Sequence, residues 1–313
     1  MFSSRNRFQY QVATGRLPLP VAAILTLIVW TLSSVHDWLS LSSLLAYGLT
    51  SYLLIETETK FVLIRTRTTL PAVLFLLLYA AMPFLHETSL TCILPVLFIL
   101  MLLFLFRSYE SPYASGALFQ AFFCLGLSSF ILPALAWLTP LLYIHTISLR
   151  SLNIRSFFAG IIGFTLPYWL LFGYYVWTDN LEAVYPYLMR LFQFQPINYH
   201  TLTLTHYVSW SIVLIFSGIY GTLYLRSAFK DKVQTRILLR IFVWMMLWLN
   251  LLCVLQPQYF QALLPLMLIP ASLISAHYFA LTFNRVSHIL FNTTLILWVS
   301  LCLFNLWMHF FNF

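Results

Sequence analysis

Charged residues are scarce in this chain, and acidic residues are the scarcest. Only 8% of its 313 residues are charged, with 8 Asp and Glu against 16 Lys and Arg, and the mean hydropathy is +0.88. So little polar surface cannot cover a water-soluble globule of this length, which excludes that class. The basic residues stand singly or in small groups between apolar runs, so the net charge of +8 does not indicate a nucleic-acid partner.

Familiar catalytic and metal-binding motifs are also missing. The chain contains no GxxxxGK[ST], GxSxG, HExxH or GxGxxG, so no motif points to a nucleotidase, a serine hydrolase or a zinc protease. No apolar run carries a central row of ionisable residues, and no inverted repeat is visible, so a transporter has little support. The cysteines lack CxxC spacing, which argues against a disulfide framework or a zinc site and predicts small core residues. They are Cys92, Cys124, Cys253 and Cys302.

Long apolar runs make up most of the sequence. A bilayer core of about 30 Å needs roughly 20 apolar residues per helix, and the runs are too continuous for barrel strands. We therefore expect an all-α transmembrane bundle of about eleven spans, forming a single integral membrane domain over residues 1–313. The basic start runs straight into the first span without a small-residue cleavage site, so we expect it to stay uncleaved. The predicted spans are 17–35, 39–55, 69–85, 90–106, 114–130, 132–148, 157–177, 204–225, 238–255, 259–280 and 288–309.

The distribution of basic residues tests this division. With a cytoplasmic N-terminus, 15 of the 16 basic residues fall in inner segments, and only Arg190 lies outside. Treating 114–148 as one span would move several basic groups to the outer side; Gly126 and Pro133 instead predict a tight hairpin near its middle. The positive-inside rule thus predicts that the C-terminus lies outside. The outer acidic residues are then Asp37, Glu87, Asp179 and Glu182.

Small residues within the spans are expected to bring helices into close contact. The candidates are Gly126, Gly160, Gly163, Gly218 and Gly221.

The segment 178–201 is the longest predicted outer loop. Its apolar residues recur at helical spacing and its aromatic residues are typical of a membrane interface, so we expect a short amphipathic helix on the outer leaflet. This outer-face interfacial segment serves either as an anchored connector or as a lid over a cavity. In the second case Arg190 would contact a phosphate.

A His-Asp pair occupies the first predicted outer turn. Asp37 can act as a general base, hold a cation or orient His36; it can equally cap the helix that starts near Trp38. The next outer turn repeats the pairing as His86-Glu87, although the residues after Glu87 also suit a helix start. Residue types and spacing leave both interpretations open.

Two segments carry a family resemblance. They read AFFCLGLSSFILPALAWLTPLLYIHTISLRS over 121–151 and IRSFFAGIIGFTLPYWLLFGYYVWTDNLEAVY over 154–185. This middle third resembles a family of uncharacterised multi-pass inner-membrane proteins of Bacteroidota. Together with QPQYFQALLPLMLIPASLI over 256–274, it is more distantly similar to the GT-C class of membrane glycosyltransferases.

The resemblance implies an inner-membrane location and use of a polyprenyl-phosphate-linked sugar. It makes Asp37 the catalytic base or metal ligand and His36 its partner, because GT-C enzymes present an acidic residue after their first span. Glu87, Arg190 and the pair Gln258-Tyr259 would contact the substrate. The chain departs from the class in lacking its large first outer loop and in carrying Gln258-Tyr259 where a basic residue is common.

Three functions follow from the sequence. The leading hypothesis is a GT-C-like glycosyltransferase, or a subunit of envelope glycan machinery, bound to membrane lipids and a polyprenyl-phosphate sugar. The second is a non-catalytic scaffold or assembly factor for an envelope complex, whose partners would be proteins. The third is a lipid or small-solute transporter. No metal ligand set is indicated.

Overall fold

The computed structural model describes residues 7–34, 40–87, 89–111, 113–179, 182, 184–192 and 196–311. The residues in these ranges are all-α: 86% of them are helical and none is in a strand. Their α-helices are α1 Arg7–Thr14, α2 Pro18–Ser34, α3 Leu41–Phe61, α4 Leu70–Ala80, α5 Leu94–Arg107, α6 Ala114–Ile131, α7 Thr139–Ser148, α8 Ile154–Trp177, α9 Val184–Phe192, α10 Leu204–Ser227, α11 Val233–Leu255, α12 Phe260–Leu281 and α13 Arg285–Phe311.

Seven helices in the described part of the chain are long and apolar enough to cross a membrane, or eight if the sharply bent pair of α1 and α2 counts as one span. This finding agrees with a polytopic membrane protein. The seven are Leu90–Arg107, Ala114–Ile131, Ile154–Trp177, Leu204–Lys230, Val233–Leu255, Pro257–Leu281 and Arg285–Phe311.

Two of the predicted spans form shorter helices than the hydropathy indicated. In the run 69–85, α4 stops at Ala80 and a 3-10 turn follows over Pro83–Leu85. In the run 132–148, a 3-10 turn over Pro133–Leu138 precedes α7. Proline explains both, because it lacks an N–H and its ring clashes with the preceding helical turn. The predicted break within 114–148 is confirmed at Leu132.

The helices from α2 onward, apart from the short α9, run back and forth between two ends of the bundle. One end, here called the His86 end, holds the turns 83–87, 199–203 and 256–259 and the last turn of α13. The other, here called the Asp231 end, holds the turns 62–69, 108–111, 149–153, 228–232 and 282–284. Hydrogen bonds hold the elements of the His86 end together: Ser33 bonds His86, and the Asn305 side chain bonds the backbone of Ala81.

Helix α12 forms the centre of the bundle. It packs on α4, α5, α10 and α11, and its most apolar stretch is completely buried. At its end, Nε2 of the buried Gln9 on α1 lies 2.8 Å from the carbonyl oxygen of Phe279, and 2.9 Å from both the Thr282 carbonyl and Ser287 Oγ. The four cysteines are free and buried, which confirms that they are core residues.

Glycine brings α6 and α8 into direct backbone contact. A Cβ at Gly126 would lie 2.5 Å from the Phe164 carbonyl oxygen, and one at Gly163 would overlap the carbonyl oxygen of Phe119. A Cβ at Gly160 would lie 2.6 Å from the Tyr143 hydroxyl, so these three expectations are confirmed.

The same expectation was wrong for two glycines of α10. A Cβ at Gly218 would have no neighbouring atom within 4 Å, and one at Gly221 would meet only the tip of Met246 at 3.7 Å, an ordinary contact. Both positions would accept a methyl group, so neither glycine is required for close helix packing.

Candidate functional site

His86 is completely buried and is held by two neighbouring helices. Its Nε2 lies 3.3 Å from the carbonyl oxygen of Tyr79, which can only accept, so Nε2 carries the proton. Its Nδ1 therefore accepts from Ser33 Oγ at 2.6 Å, while Ser43 Oγ donates to the backbone carbonyl of His86 at 3.0 Å. Beneath the imidazole, the rings of Tyr79 and Tyr47 stack at 3.8 Å.

These bonds tie the end of α2 and the start of α3 to the turn 83–87. Ser33 lies just before the connection between α2 and α3, and Ser43 lies just after it; both side chains bond His86. His36 and Asp37, the predicted catalytic pair in that connection, lie outside the described residues.

His86 and Glu87 differ in their surroundings. Burial lowers the pKa of His86 to about 4, against a smaller opposing effect of the Tyr79 carbonyl, so the imidazole is neutral at physiological pH. The Glu87 side chain is exposed, whereas that of His86 is buried. Ser89 accepts a hydrogen bond from the Thr91 N–H, which confirms helix-start chemistry after Glu87; Thr88 lies outside the described residues.

A cavity of about 390 Å³ lies at the His86 end. It is lined by Pro83, Phe84, Thr203, Thr205, Asn305, Met308 and His309. Asn305 is 2% exposed; its Nδ2 lies 2.7 Å from the Ala81 carbonyl oxygen and 3.1 Å from Ser209 Oγ, but its buried Oδ1 has no hydrogen-bond partner among the described residues. A buried acceptor without a partner is costly, so a ligand that donates a hydrogen bond is expected to suit this cavity.

Aromatic and histidine rings support one wall of the cavity. The Phe84 ring packs edge-on against His206 at 4.8 Å and lies 6.3 Å from Phe260 at the start of α12. His206 Nδ1 accepts the Thr203 N–H at 3.2 Å, and its Nε2 faces the Gln261 amide at 3.3 Å. Three separate turns are thus locked together at the His86 end.

Gln258 and Tyr259 lie in the 3-10 turn Pro257–Tyr259, which packs against α11, α12 and the turn 199–201. Tyr259 is half-buried against the core. Both Oε1 and Nε2 of Gln258 are buried and have no hydrogen-bond partner within the described ranges. A buried amide whose donor and acceptor both lack partners among the described residues can hydrogen-bond a polar ligand at the His86 end.

Arg190 lies on the outer segment 178–201. The predicted short amphipathic helix is confirmed as α9, and Arg190 is exposed near its end. Helix α9 packs on α8 and on the 3-10 turn Pro133–Leu138, whereas Tyr259 contacts other elements. The contacts therefore do not place Arg190 beside Gln258 and Tyr259.

Sequence reasoning missed the cavity residues Phe84, Thr203, Thr205, Asn305 and His309. A signal was present for Asn305, because an amide inside the apolar run LCLFNLWMHFF is expensive in a membrane and indicates a polar partner. No three His, Cys, Asp or Glu side chains among the described residues are close enough to hold a metal ion.

A buried ionic cluster occupies the opposite end. Asp231 Oδ1 lies 3.0 Å from Arg65, and its Oδ2 lies 3.2 Å from Nε2 of the buried His277. Burial alone would raise the pKa of Asp231, but His277 and Arg65 outweigh it and lower the pKa. The cluster ties the loops 62–69 and 228–232 to α12, and we interpret it as a structural cross-link.

Glu58, near the end of α3, is also buried. Its Oε2 accepts a weak bond from Thr59 at 3.5 Å, and burial raises its pKa to about 7.

Comparisons with known protein families, with curated proteins and with solved structures found no match for this chain.

Proposed function

We propose that this chain is an inner-membrane protein that crosses the bilayer about eleven times, with a cytoplasmic N-terminus and an outer C-terminus. The seven long apolar helices support membrane embedding. The alternating direction of the helices supports the count of eleven spans. The turns at the Asp231 end carry many of the Lys and Arg residues, whereas Arg190 is the one basic residue assigned to an outer segment. In this orientation the His86 end faces outward.

The proposed activity is that of a GT-C-like transferase acting on a polyprenyl-phosphate-linked sugar, or of a subunit of such envelope glycan machinery. Asp37 serves as base or metal ligand and His36 as its partner. Glu87, Gln258 and Tyr259 contact the sugar, and Arg190 meets the phosphate from α9.

One observation carries the proposal: the His86 end holds two amides, on Gln258 and Asn305, whose buried atoms lack hydrogen-bond partners among the described residues. Sugar hydroxyls both donate and accept, so they can satisfy a carboxamide that has a free oxygen and a free nitrogen. The cavity beside Asn305 combines polar side chains with the apolar Pro83, Phe84 and Met308, and small-ligand sites likewise combine apolar walls with a few polar groups. The bonds from Ser33 and Ser43 to His86 bring the turn that precedes Glu87 against the helix ends flanking His36 and Asp37.

The experiment measures transfer of a radiolabelled hexose from polyprenyl phosphate into solvent-insoluble glycan, in membranes from cells that lack the native gene and express each variant. Asp37→Asn is expected to lower transfer about 100-fold or more, the usual contribution of a general base, without lowering membrane abundance. Gln258→Leu is expected to weaken sugar binding. The matched controls are Glu182→Gln, an exposed acidic residue of the outer segment, and Gln234→Leu, an exposed glutamine at the Asp231 end.

Transfer retained by Asp37→Asn would remove Asp37 from the site. If the unmodified protein transfers no sugar, the enzyme proposal fails. The scaffold alternative is then supported if substitutions on the exposed face of α8 abolish co-purification with an envelope protein while the outer carboxylates can be changed freely.

A further inference from the structure

The first two helices meet almost at a right angle. Helices α1 and α2 are separated by the short link around Gly15 and are bent by 86°. Helix α1 is amphipathic, with Gln9 and Ala13 buried and Phe8 and Tyr10 about half exposed. The Gln9 amide fixes it across the ends of α12 and α13. With α2 along the bilayer normal, α1 lies along the membrane surface.

A groove of about 700 Å³ opens beneath α1. It is lined by α1, by the link between α1 and α2, and by α2, α4 and α13. Val21 and Leu25 line it from α2, Val73 and Leu77 from α4, and Trp298 from α13. Trp298 Nε1 donates to the Leu77 carbonyl oxygen, which fixes the indole in the wall. The depth of the groove is therefore apolar and suits a hydrocarbon chain.

Arg16 stands at the mouth of this groove. It is exposed, it lies in the link between α1 and α2, and it is the single charged residue among the described groove-lining residues. No described residue forms an ion pair with it. A guanidinium offers a planar fork of donors that matches the oxygens of a phosphate.

We propose that this groove binds one anionic phospholipid, with an acyl chain along the apolar walls and the headgroup phosphate against Arg16. The charge selects the ligand class, because the described lining residues include Arg16 and no carboxylate that would favour the cationic group of a zwitterionic lipid. The site is at the Asp231 end, away from the cavity at the His86 end, and is independent of any glycan activity.

Trp298 provides a direct probe of occupancy. The protein is reconstituted in phosphatidylcholine vesicles that contain a small fraction of brominated-chain phosphatidylglycerol or, separately, brominated-chain phosphatidylcholine, and tryptophan quenching is recorded. The chain has 10 tryptophans, so the Trp298 signal is taken as the difference between the native protein and Trp298→Phe. A single basic residue near the surface predicts about a fivefold preference for the anionic lipid.

Three variants test the assignment. Arg16→Gln is expected to abolish the preference, and Arg16→Lys to retain part of it. Arg67→Gln, an exposed arginine at the same end that does not line the groove, is expected to leave it unchanged. Val21→Phe is expected to reduce quenching by both lipids because the larger ring fills the groove.

Equal quenching of Trp298 by the two brominated lipids would overturn the proposal. So would a preference that survives Arg16→Gln in protein that elutes as a monodisperse species. If Val21→Phe left the quenching of Trp298 unchanged, the acyl chain would lie outside the groove, and the proposal would be overturned as well.

Discussion

Replacing His86 by glutamine removes a buried base whose protonation the fold opposes. The side chain is 0% exposed, and burial lowers its pKa from 6.5 to about 4. The folded state therefore binds a proton less readily than the unfolded state. The stability that depends on the neutral imidazole is complete above the unfolded pKa of 6.5 and is lost as pH falls towards 4.

The size of this pH effect on stability follows from the shift in the pKa of His86. One pKa unit corresponds to about 1.4 kcal/mol, so the shift corresponds to about 3 kcal/mol in full and about 2 kcal/mol at about pH 5. His86→Gln does not titrate, and its amide nitrogen can still donate to the Tyr79 carbonyl. We expect this variant to be less stable than the native protein at about pH 7.5, with the difference shrinking by about 2 kcal/mol at about pH 5.

The assay is unfolding in detergent followed by tryptophan fluorescence, with the native protein and the variant measured side by side at each pH. Taking their difference cancels the titration of all other groups. His200→Gln, at an exposed histidine of the same end, is the control for the same substitution at a surface position. A difference for His86→Gln that stays constant between about pH 7.5 and about pH 5 would refute the assignment of a buried neutral imidazole.

Two further predictions concern helix packing and the opposite end. Gly126→Ala and Gly163→Ala are each expected to lower the free energy of unfolding by about 1–3 kcal/mol, because the added methyl meets a carbonyl oxygen. Gly218→Ala should be neutral or slightly stabilising. Thermal midpoints in detergent check this prediction, and an equal loss of stability at Gly218 would contradict it. The pH dependence at Glu58 is opposite to that at His86. Because its pKa is raised, the contribution of Glu58 to stability is complete below pH 4.5 and is lost as pH rises through about 7. Glu58→Gln should therefore be more stable than the native protein by about 1–2 kcal/mol at about pH 7.5, less than the full pKa shift would give because solvent screens part of the charge, and no gain there would show that the carboxyl is hydrated.

The positions of the helices were largely predictable because hydropathy and proline act locally. The break at Leu132 and the short helix α9 followed from residues within a few positions of each. The same local reasoning overestimated α4, since it counted the apolar residues around Pro83 as helix although the proline ends the hydrogen-bond ladder.

The faces of the helices were much less predictable. Gly163 and Gly218 look alike in sequence, yet one touches a neighbouring backbone and the other has empty space beside it. Which of the two glycines is covered depends on how each helix is rotated and on which helices lie beside it. A short stretch of sequence determines neither the rotation nor the neighbours.

The candidate site shows the same limit. The sequence paired His86 with Glu87 because they are adjacent, but adjacent side chains at a turn can point in opposite directions, and here one is buried and the other exposed. Asn305 and Thr203 are about a hundred residues apart in the chain, and only the packing of α10 beside α13 brings them to one cavity. Asp231 and His277 likewise meet only after two loops have folded onto α12.

The bonds of Gln9 to the end of α12 have a consequence for how the protein is made. Gln9 is translated 270 residues before Phe279, whose carbonyl it binds, so its amide must remain without these acceptors while almost the whole chain is inserted. During that interval the surface reserved for α12 on α4 and α5 is also uncovered. Membrane insertion and completion of the fold are therefore separate events, and a nascent chain that stalls before α12 presents its open centre to the proteases and chaperones of the membrane.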